Sequence, residues 1–335
     1  MKNLPTLTIA ICLLGMGGFQ LVSALQADAP PATADQKEKS EQVEEKQVTK
    51  NDPEAVELIQ QARNRLFERQ FIQADMSEMV SLGNYSFRSS GTYAAASGFR
   101  YRLEYQVELG DLVGKFLEVC DGQVLHTRRE IGEAHPALTS TAVPEVELSR
   151  RDIQKIRREA MGIKETTQGA ELADALRAAE VGIGGLPAVL ASLERSMIFS
   201  GVRTEEIEGR HYLVVQGHWR TDRREKLFAG LGSAGNQVAG FMPDLVRVYL
   251  EKTTLFPEKF VYLKQAGKEH KTYRPLVAIE FRNVTLDQPV PERLFVYVAP
   301  SGEEEKDETA TFLEAMRQTA TSDQQPAGKE ATPEK

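Results

Sequence analysis

The sequence predicts an α+β protein built on a single large curved antiparallel sheet of about nine to eleven strands, a half-open β-barrel with helices covering its concave apolar face. Three observations predict this fold class. Residues 99–109 (FRYRLEYQVEL) alternate apolar and polar side chains throughout, which is typical of a strand with one dry face and one wet face. Asp121-Gly122 separates two further alternating runs, a strong hairpin signal. Residues 53–70 instead carry apolar residues at helical spacing, which gives the sheet a helix to pack against.

The first 24 residues have the pattern of a secretory signal peptide. Lys2 precedes an uncharged apolar run at 7–21, and Val22-Ser23-Ala24 offers small or short residues for cleavage near Ala24. The protein is therefore predicted to be periplasmic or otherwise exported, with no stable transmembrane span after cleavage. A retained anchor is the alternative, although the run is short for a span of about 20 residues. Lipidation at Cys12 is excluded because Ile11 is not small.

Cysteine content and charge narrow the class of protein. After cleavage only Cys120 remains, so no internal disulfide can form despite the predicted export. The net charge is −8, and no basic stripe stands out along the chain. This excludes nucleic acid as a partner.

The order of elements follows from the periodicity. Residues 25–50 are poor in large apolar residues and predict a disordered linker. The domain is predicted at 51–318, followed by a disordered tail at 319–335. Asp52 and Pro53 begin the amphipathic helix. Strands at about 72–80, 85–96, 99–109, 113–119 and 124–127 then form an antiparallel meander.

A helical insertion is predicted at about 145–199, between two halves of the sheet. A capping box at Ser149–Asp152 begins its first helix, an Ala/Leu-rich helix follows at 168–181, and Pro187 begins a third. The sheet resumes at Ser200 with a hairpin around Glu208-Gly209. Further strands are predicted at 245–253, 259–264, 275–284 and 294–298, with a closing helix at 307–318.

No pattern in the chain predicts catalysis. The sequence lacks GxxxxGK[ST], HExxH, GxSxG and CxxC motifs, and its five histidines lack the spacing of metal ligands. Cys120, with His126 across the predicted hairpin, fits a small buried hydrophobe better than a nucleophile. We therefore predict a non-enzymatic protein with no catalytic residues, no metal and no cofactor.

The remaining signal is the apolar face of the sheet, which is the candidate ligand-binding surface. Such a face must be covered either by helices or by a ligand, and the sequence leaves both alternatives open. The residues predicted to form it are Tyr101, Leu103, Tyr105, Leu117, Val119, Leu213, Val215, Trp219, Val248, Leu250, Val277, Ile279, Phe281 and Phe295.

The chain also resembles the LolA/LolB-like superfamily of periplasmic lipoprotein carriers and outer-membrane lipoprotein-sorting proteins. The resemblance covers roughly residues 53–318. It lies in VYLEKTTLFP at 248–257, FVY at 260–262, IEFRN at 279–283, Val290-Pro291, Phe295 and PSG at 300–302. The hairpin at 119–126 (VCDGQVLH) is similar to the family's Asp-Gly hairpin, with Leu125-His126 where an aromatic residue is common.

The resemblance implies a half-closed barrel whose mouth is plugged by helices and whose apolar face holds acyl chains or other hydrophobic groups. Its implied partners are a lipid or an acylated lipoprotein, with an envelope protein as a further partner, because one relative regulates the inhibitor of a sigma factor. The alternative within the same fold is an interaction, scaffold or envelope-sensing protein with a closed cavity. The long linker and insertion depart from the family's compact members.

Overall fold

The computed structural model describes residues 50–82, 85–109, 112–133, 144–161, 184–225, 242–266 and 272–314. The predicted signal peptide, nearly all of the linker, the helix at 168–181 and the C-terminal tail lie outside the described residues. The predicted domain boundaries at 51 and 318 therefore stay predictions.

Twelve strands form one sheet, and three helices are described in full. The helices are α1 (Pro53–Glu68), α2 (Ile153–Met161) and α3 (Leu186–Ser196). The first six strands are β1 (Phe71–Leu82), β2 (Tyr85–Ala96), β3 (Arg100–Leu109), β4 (Leu112–Asp121), β5 (Val124–Glu133) and β6 (Glu145–Asp152). The others are β7 (Met197–Ile207), β8 (Arg210–Trp219), β9 (Leu245–Glu251), β10 (Pro257–Gln265), β11 (Tyr273–Leu286) and β12 (Lys306–Asp307).

The strand order is β12-β6-β5-β4-β3-β2-β1-β11-β10-β9-β8-β7. Two antiparallel meanders, β1–β6 and β7–β11, thus join through the pairing of β1 with β11. The short parallel pair of β12 and β6 completes the order. The sheet is large, curved and unclosed, so the predicted α+β half-barrel is confirmed, with slightly more strands than expected.

The predicted turns are confirmed by their backbone geometry. Glu208 and Gly209 have φ values of 52° and 76°, as a two-residue hairpin with both central residues left-handed requires. At the β4–β5 turn the Asp121 carboxylate accepts hydrogen bonds from the backbone N–H groups of Gln123 (2.7 Å) and Val124 (2.8 Å). Phe99 has φ 64° and lies in the turn before β3, so that strand begins one residue later than the alternation predicts.

Two predicted elements are wrong. Ser149 does not cap a helix, because residues 145–152 form β6 and Ser149 pairs with Thr127. The cap is Asp152, whose carboxylate accepts a hydrogen bond from Lys155 N at 2.7 Å. The predicted strand at 294–298 is absent, since Glu292–Phe295 form a 3-10 helix. Each segment is short, so its local pattern is compatible with more than one kind of element.

Helices α1 and α3 lie on the concave face. The Asp52 carboxylate accepts hydrogen bonds from Glu54 N and Ala55 N and so caps α1. The buried stripe of α1 includes Ala55, Ile59, Ala62 and Leu66. Because α1 packs on α3 and on β7, the two helices form one layer over the sheet.

The chain after β11 follows the other, convex face. Its 3-10 helix contacts β3 and β4, and its end supplies β12 at the β6 edge. We call residues 288–308 the strap. Residues 309–314, which begin the predicted closing helix, are helical, and Leu313 is buried in the concave core.

Candidate functional site

The candidate site is the concave face, which carries the largest apolar cluster among the described residues. Strand register determines which residues share this face, because directly opposed residues of an antiparallel pair point to the same side. Tyr101, Leu103 and Tyr105 of β3 pair with Ala95, Tyr93 and Gly91 of β2. All three β3 residues belong to the cluster that also contains α1 and α3.

Most of the predicted face is brought together. The residues buried in this cluster are Tyr101, Leu103, Tyr105, Val215, Val248, Leu250, Val277, Ile279 and Phe281. Leu213 and Trp219 are partly buried against it. Whether any of these side chains contacts a ligand stays a prediction.

Leu117 and Val119 do not lie on this face. They pair with Glu104 and Arg102, which form the polar phase of β3. The concave side chains of β4 are instead Phe116, Glu118 and Cys120, which pair with Tyr105, Leu103 and Tyr101. The sequence of β4 is apolar in both phases (Phe116-Leu117 and Val119-Cys120), so its pattern alone does not fix which phase points inward.

Phe295 is also on the opposite face. It lies in the 3-10 helix and packs with Ala94 and Val290 in a separate small cluster on the convex side. The Arg100 guanidinium lies 5.5 Å from its ring centroid. Phe295 therefore anchors the strap.

Both covering helices reach across the concave face. At the start of α3, Leu186 N donates a hydrogen bond to the Tyr93 hydroxyl of β2 at 3.3 Å, and α3 ends where β7 begins. At the start of α1, Asp52 N donates to Phe199 O of β7 at 2.9 Å. The two helices therefore span the concave face from one meander to the other.

An ion pair joins the two helices to each other. Arg63 of α1 lies 2.9 Å from Glu194 of α3, and both side chains are largely buried. A second polar contact joins α1 to the turn between β9 and β10, where the Arg65 guanidinium donates a hydrogen bond to Thr253 O at 2.9 Å. These contacts hold the helical layer in addition to its apolar packing.

The concave face contains a buried carboxyl group, Glu78, that the sequence analysis missed. Glu78 has a relative exposure of only 4% and pairs with Ile279 of β11 and Ser89 of β2. Ser89 donates a hydrogen bond to it at 3.2 Å. Burial raises the pKa of Glu78 to about 7. The signal was present in the sequence, because Glu78 falls in the apolar phase of β1 (Ile72, Ala74, Met76 and Val80).

Glu118 of β4 is a second buried carboxyl group, with different surroundings. Burial raises its pKa to about 7, although the Arg151 and Arg129 guanidinium groups act to lower it. The Tyr101 hydroxyl donates to it at 3.4 Å. Burial also raises the pKa of Tyr101.

Cys120 does not have the environment of a nucleophile. It is fully buried, and burial raises the pKa of its thiol to about 12, far from the depressed values of reactive thiols. His126 pairs with Val119 and so lies on the other face of β4–β5. The interpretation of Cys120 as a small buried hydrophobe is therefore the one the structure supports.

Two features are absent from the described part of the chain. Among those residues, no group of three or more His, Cys, Asp and Glu side chains is arranged to hold a metal ion. No helix within the same ranges is long and apolar enough to cross a membrane.

The convex face carries an open groove of about 670 Å³ between the sheet and the strap, lined by both polar and apolar residues. Asp75 and Arg102 line it, together with Asn283 and Arg293. Asn283 Nδ2 donates to Asp75 at 2.7 Å, and Arg102 pairs with Glu104. The acidic and basic side chains that line this groove therefore largely balance each other in charge.

Comparisons with known proteins agree at the level of the fold. No family model and no curated protein matches the sequence. The Pseudomonas aeruginosa MucA/MucB complex matches at 13% identity and TM-score 0.34, over 72% of this chain and 60% of that one. LprF from Mycobacterium bovis matches at 12% identity and TM-score 0.33, over 72% and 97%. A LolA superfamily protein from Nitrosomonas europaea matches at 10% identity and TM-score 0.23, over 72% and 97%.

These matches confirm the predicted resemblance to LolA-like proteins as a resemblance in fold. The descriptions of the three structures name a two-protein complex, LprF and a LolA superfamily protein. The match spans under two thirds of the MucB chain. At identities and TM-scores this low, the comparison carries no argument about the ligand, partner or activity of this chain.

Proposed function

We propose that this chain is an exported, non-enzymatic binding protein that shelters an acyl chain, the lipid of a lipoprotein or another hydrophobic group against the concave face of its sheet. The observation that carries the proposal is the continuous apolar cluster on that face, which extends over both meanders and beneath two helices. The signal-peptide pattern of residues 1–24 supports export to the periplasm or beyond.

Binding would be driven by removing apolar surface from water, at about 25 cal/mol per Å². A chain of about 14 methylenes, at about 0.8 kcal/mol each, could supply roughly 11 kcal/mol before ordering costs. Val215, Val248 and Leu250 are 0% exposed, so the ligand would have to displace the helices that cover them. The packing of α1 and α3 would therefore set the affinity.

The test is titration of a delipidated sample with a fluorescent fatty-acid probe. We expect saturable binding that Tyr105→Asp weakens, because the change puts a carboxylate into the apolar cluster. A gentler variant is Leu213→Gln, since Leu213 is only partly buried. Ile207→Gln is its matched control, because Ile207 is an exposed apolar residue of the neighbouring strand. Failure to observe saturable binding to the unaltered protein overturns the proposal.

The complete burial of these residues also favours a second candidate function. If α1 and α3 never leave the sheet, the protein would be an interaction or scaffold protein with a closed cavity and a partner on its outer surface. Native mass spectrometry separates the two functions. A carrier retains copurifying lipid, whereas a scaffold retains a protein partner and no lipid.

A further inference from the structure

The β6 edge of the sheet is occupied by an acidic segment of the same chain. Residues 301–308 read SGEEEKDE, and within them β12 pairs with β6 in parallel, Lys306 opposite Ser149 and Asp307 opposite Arg150. Glu308 N donates to Arg150 O at 2.9 Å. We propose that this edge is a docking site for an extended acidic segment of a partner protein, and that the chain's own strap blocks it.

The charges of the edge and of the strap are complementary. Arg150 lies 3.3 Å from Asp307, and Arg151 lies 3.0 Å from Glu308. On the adjacent strand, His126 Nδ1 lies 2.9 Å from Glu305 Oε1. Three acidic side chains of the strap thus meet two arginines of β6 and a histidine of β5. This is the recognition chemistry of an acidic peptide.

An apolar anchor follows the acidic residues. The Arg151 guanidinium lies 5.3 Å from the Phe312 ring centroid, and Leu313 is 4% exposed. Thr309 accepts a hydrogen bond from Asp152 N at 2.9 Å. The edge therefore recognises an extended acidic stretch that is followed by a helical turn with apolar side chains.

The backbone pairing between the strap and this edge is short in comparison with the rest of the sheet, although the Arg151–Glu308 and His126–Glu305 pairs are largely buried. Only two residue pairs join β12 to β6, whereas β5 pairs with all eight residues of β6. Both side chains of the Arg150–Asp307 pair are about half exposed, and such pairs contribute little net stability. On the side of β6 that faces away from β5, residues Glu145 to Leu148 pair with no strand among the described residues. A longer segment could therefore form more backbone hydrogen bonds there than β12 does.

The opposite edge of the sheet is not available in the same way. Asn51 and Asp52 bond to the backbone of Phe199 at the start of β7. A register shift between Phe199 and Val202 then interrupts that edge. Bulges and covered ends are devices that prevent strand addition. The structure therefore leaves the β6 edge as the one suited to a partner's strand among the described strands.

The experiment uses the full chain and a labelled peptide with the sequence of residues 301–314. In the release variant, Glu305→Gln, Asp307→Asn and Glu308→Gln remove the three acids of the strap. We expect the release variant to bind the peptide at least ten times more tightly than the unaltered protein, by fluorescence anisotropy. Binding should weaken strongly in about 0.5 M salt, where charges are screened beyond about 4 Å.

Three controls make the result specific. Glu303→Gln with Glu304→Gln removes two charges of the same segment that form none of the three pairs, and it should behave as the unaltered protein. A peptide with lysine at the positions of Glu305, Asp307 and Glu308 should not bind. Arg150→Gln with Arg151→Gln should release the strap and lose the peptide.

Hydrogen exchange of residues 306–313, which comprise the end of the strap and the helical turn after it, reports release independently of peptide binding. Faster exchange there, with β5 unchanged, shows that the fold is intact and the edge is open. A released strap without peptide binding overturns the proposal, and so does a strap that the release variant fails to loosen. No lipid enters this experiment, so its outcome does not depend on whether the concave face binds one.

Discussion

The two meanders of the sheet differ in what they bury on the concave face. The β7–β11 meander contributes side chains such as Val215, Val248 and Phe260 to the cluster. Its buried Arg247 and Glu258 lie beside the apolar cluster of the other face, where Arg247 pairs with Val261 and Glu258 accepts a hydrogen bond from the Tyr212 hydroxyl. The β1–β6 meander buries polar side chains within the concave face. These are Glu78, Ser89, Glu118, Thr127 and Ser149.

The difference indicates that the two meanders are optimised for different properties. A carboxyl group in an apolar setting destabilises the fold when it is ionised, so Glu78 and Glu118 were not retained to maximise stability. Among the described residues, the β7–β11 meander buries no carboxyl group on the concave face, and it packs against the helical layer. We expect it to supply most of the stability, while the β1–β6 meander responds to conditions.

The largest expected effect is in the apolar meander. Phe260 is 0% exposed, and Phe260→Ala should lower the free energy of unfolding by about 3–5 kcal/mol through the cavity it leaves. Urea denaturation followed by circular dichroism measures this. Val298→Ala on the strap is the control, because Val298 is 80% exposed and its loss should change stability by no more than about 0.5 kcal/mol. Equal effects would contradict the assignment of stability to this meander.

The next effect is a pH dependence that originates in the other meander. The pKa of Glu78 is about 7 in the fold, above its ordinary value, so its contribution to stability is complete below pH ~4.5 and is lost as the pH rises through ~7. Glu78→Gln removes the ionisation. The variant's gain in stability over the unaltered protein should therefore be about 3 kcal/mol larger at pH 8 than at pH 4.5. Denaturation at both pH values measures the difference.

Glu118→Gln is the informative comparison for this prediction. Its pKa is raised to a similar value, but its ionised form is attracted to Arg151 and Arg129, which lose that partner in the variant. Because a pKa near 7 already includes that attraction, linkage predicts that the gain at pH 8 relative to pH 4.5 is about as large as for Glu78→Gln. A much smaller pH-dependent gain for Glu118→Gln would mean that the two carboxyl groups do not share this pKa.

The sequence predicts the fold well where periodicity and turn chemistry agree. The alternation of β3 and the two hairpin turns identified the sheet, and Asp52-Pro53 identified the start of α1. Sequence could not fix the phase of β4, because both of its faces carry apolar residues. Only its pairing with β3 shows that Glu118 and Cys120, and not Leu117 and Val119, point inward.

The strap shows a second limit of sequence reasoning. Phe295 lies in a segment that reads as an apolar strand, yet it belongs to a 3-10 helix on the convex face. Local pattern records that a side chain is buried but not which surface buries it. The pairing of β12 with β6, more than 150 residues apart in sequence, has no local signature either, because contacts so distant depend on the path of the whole chain.

The smallest expected effect concerns the joint between the helices that cover the concave face. Arg63→Gln removes the ion pair with Glu194 and should lower the free energy of unfolding by about 1–2 kcal/mol, because a largely buried carboxylate loses its cation. Arg282→Gln is the matched control, since the Arg282–Glu280 pair is exposed on the arginine side and its loss should change the free energy of unfolding by less than about 0.5 kcal/mol.

Hydrogen exchange distinguishes a local effect of Arg63→Gln from a global one. If the ion pair holds the helical layer on the sheet, exchange should rise in α1 and α3 before it rises in β9 or β10. Uniform acceleration would instead mean that helices and sheet unfold together, which favours a closed cavity over one that opens for a ligand.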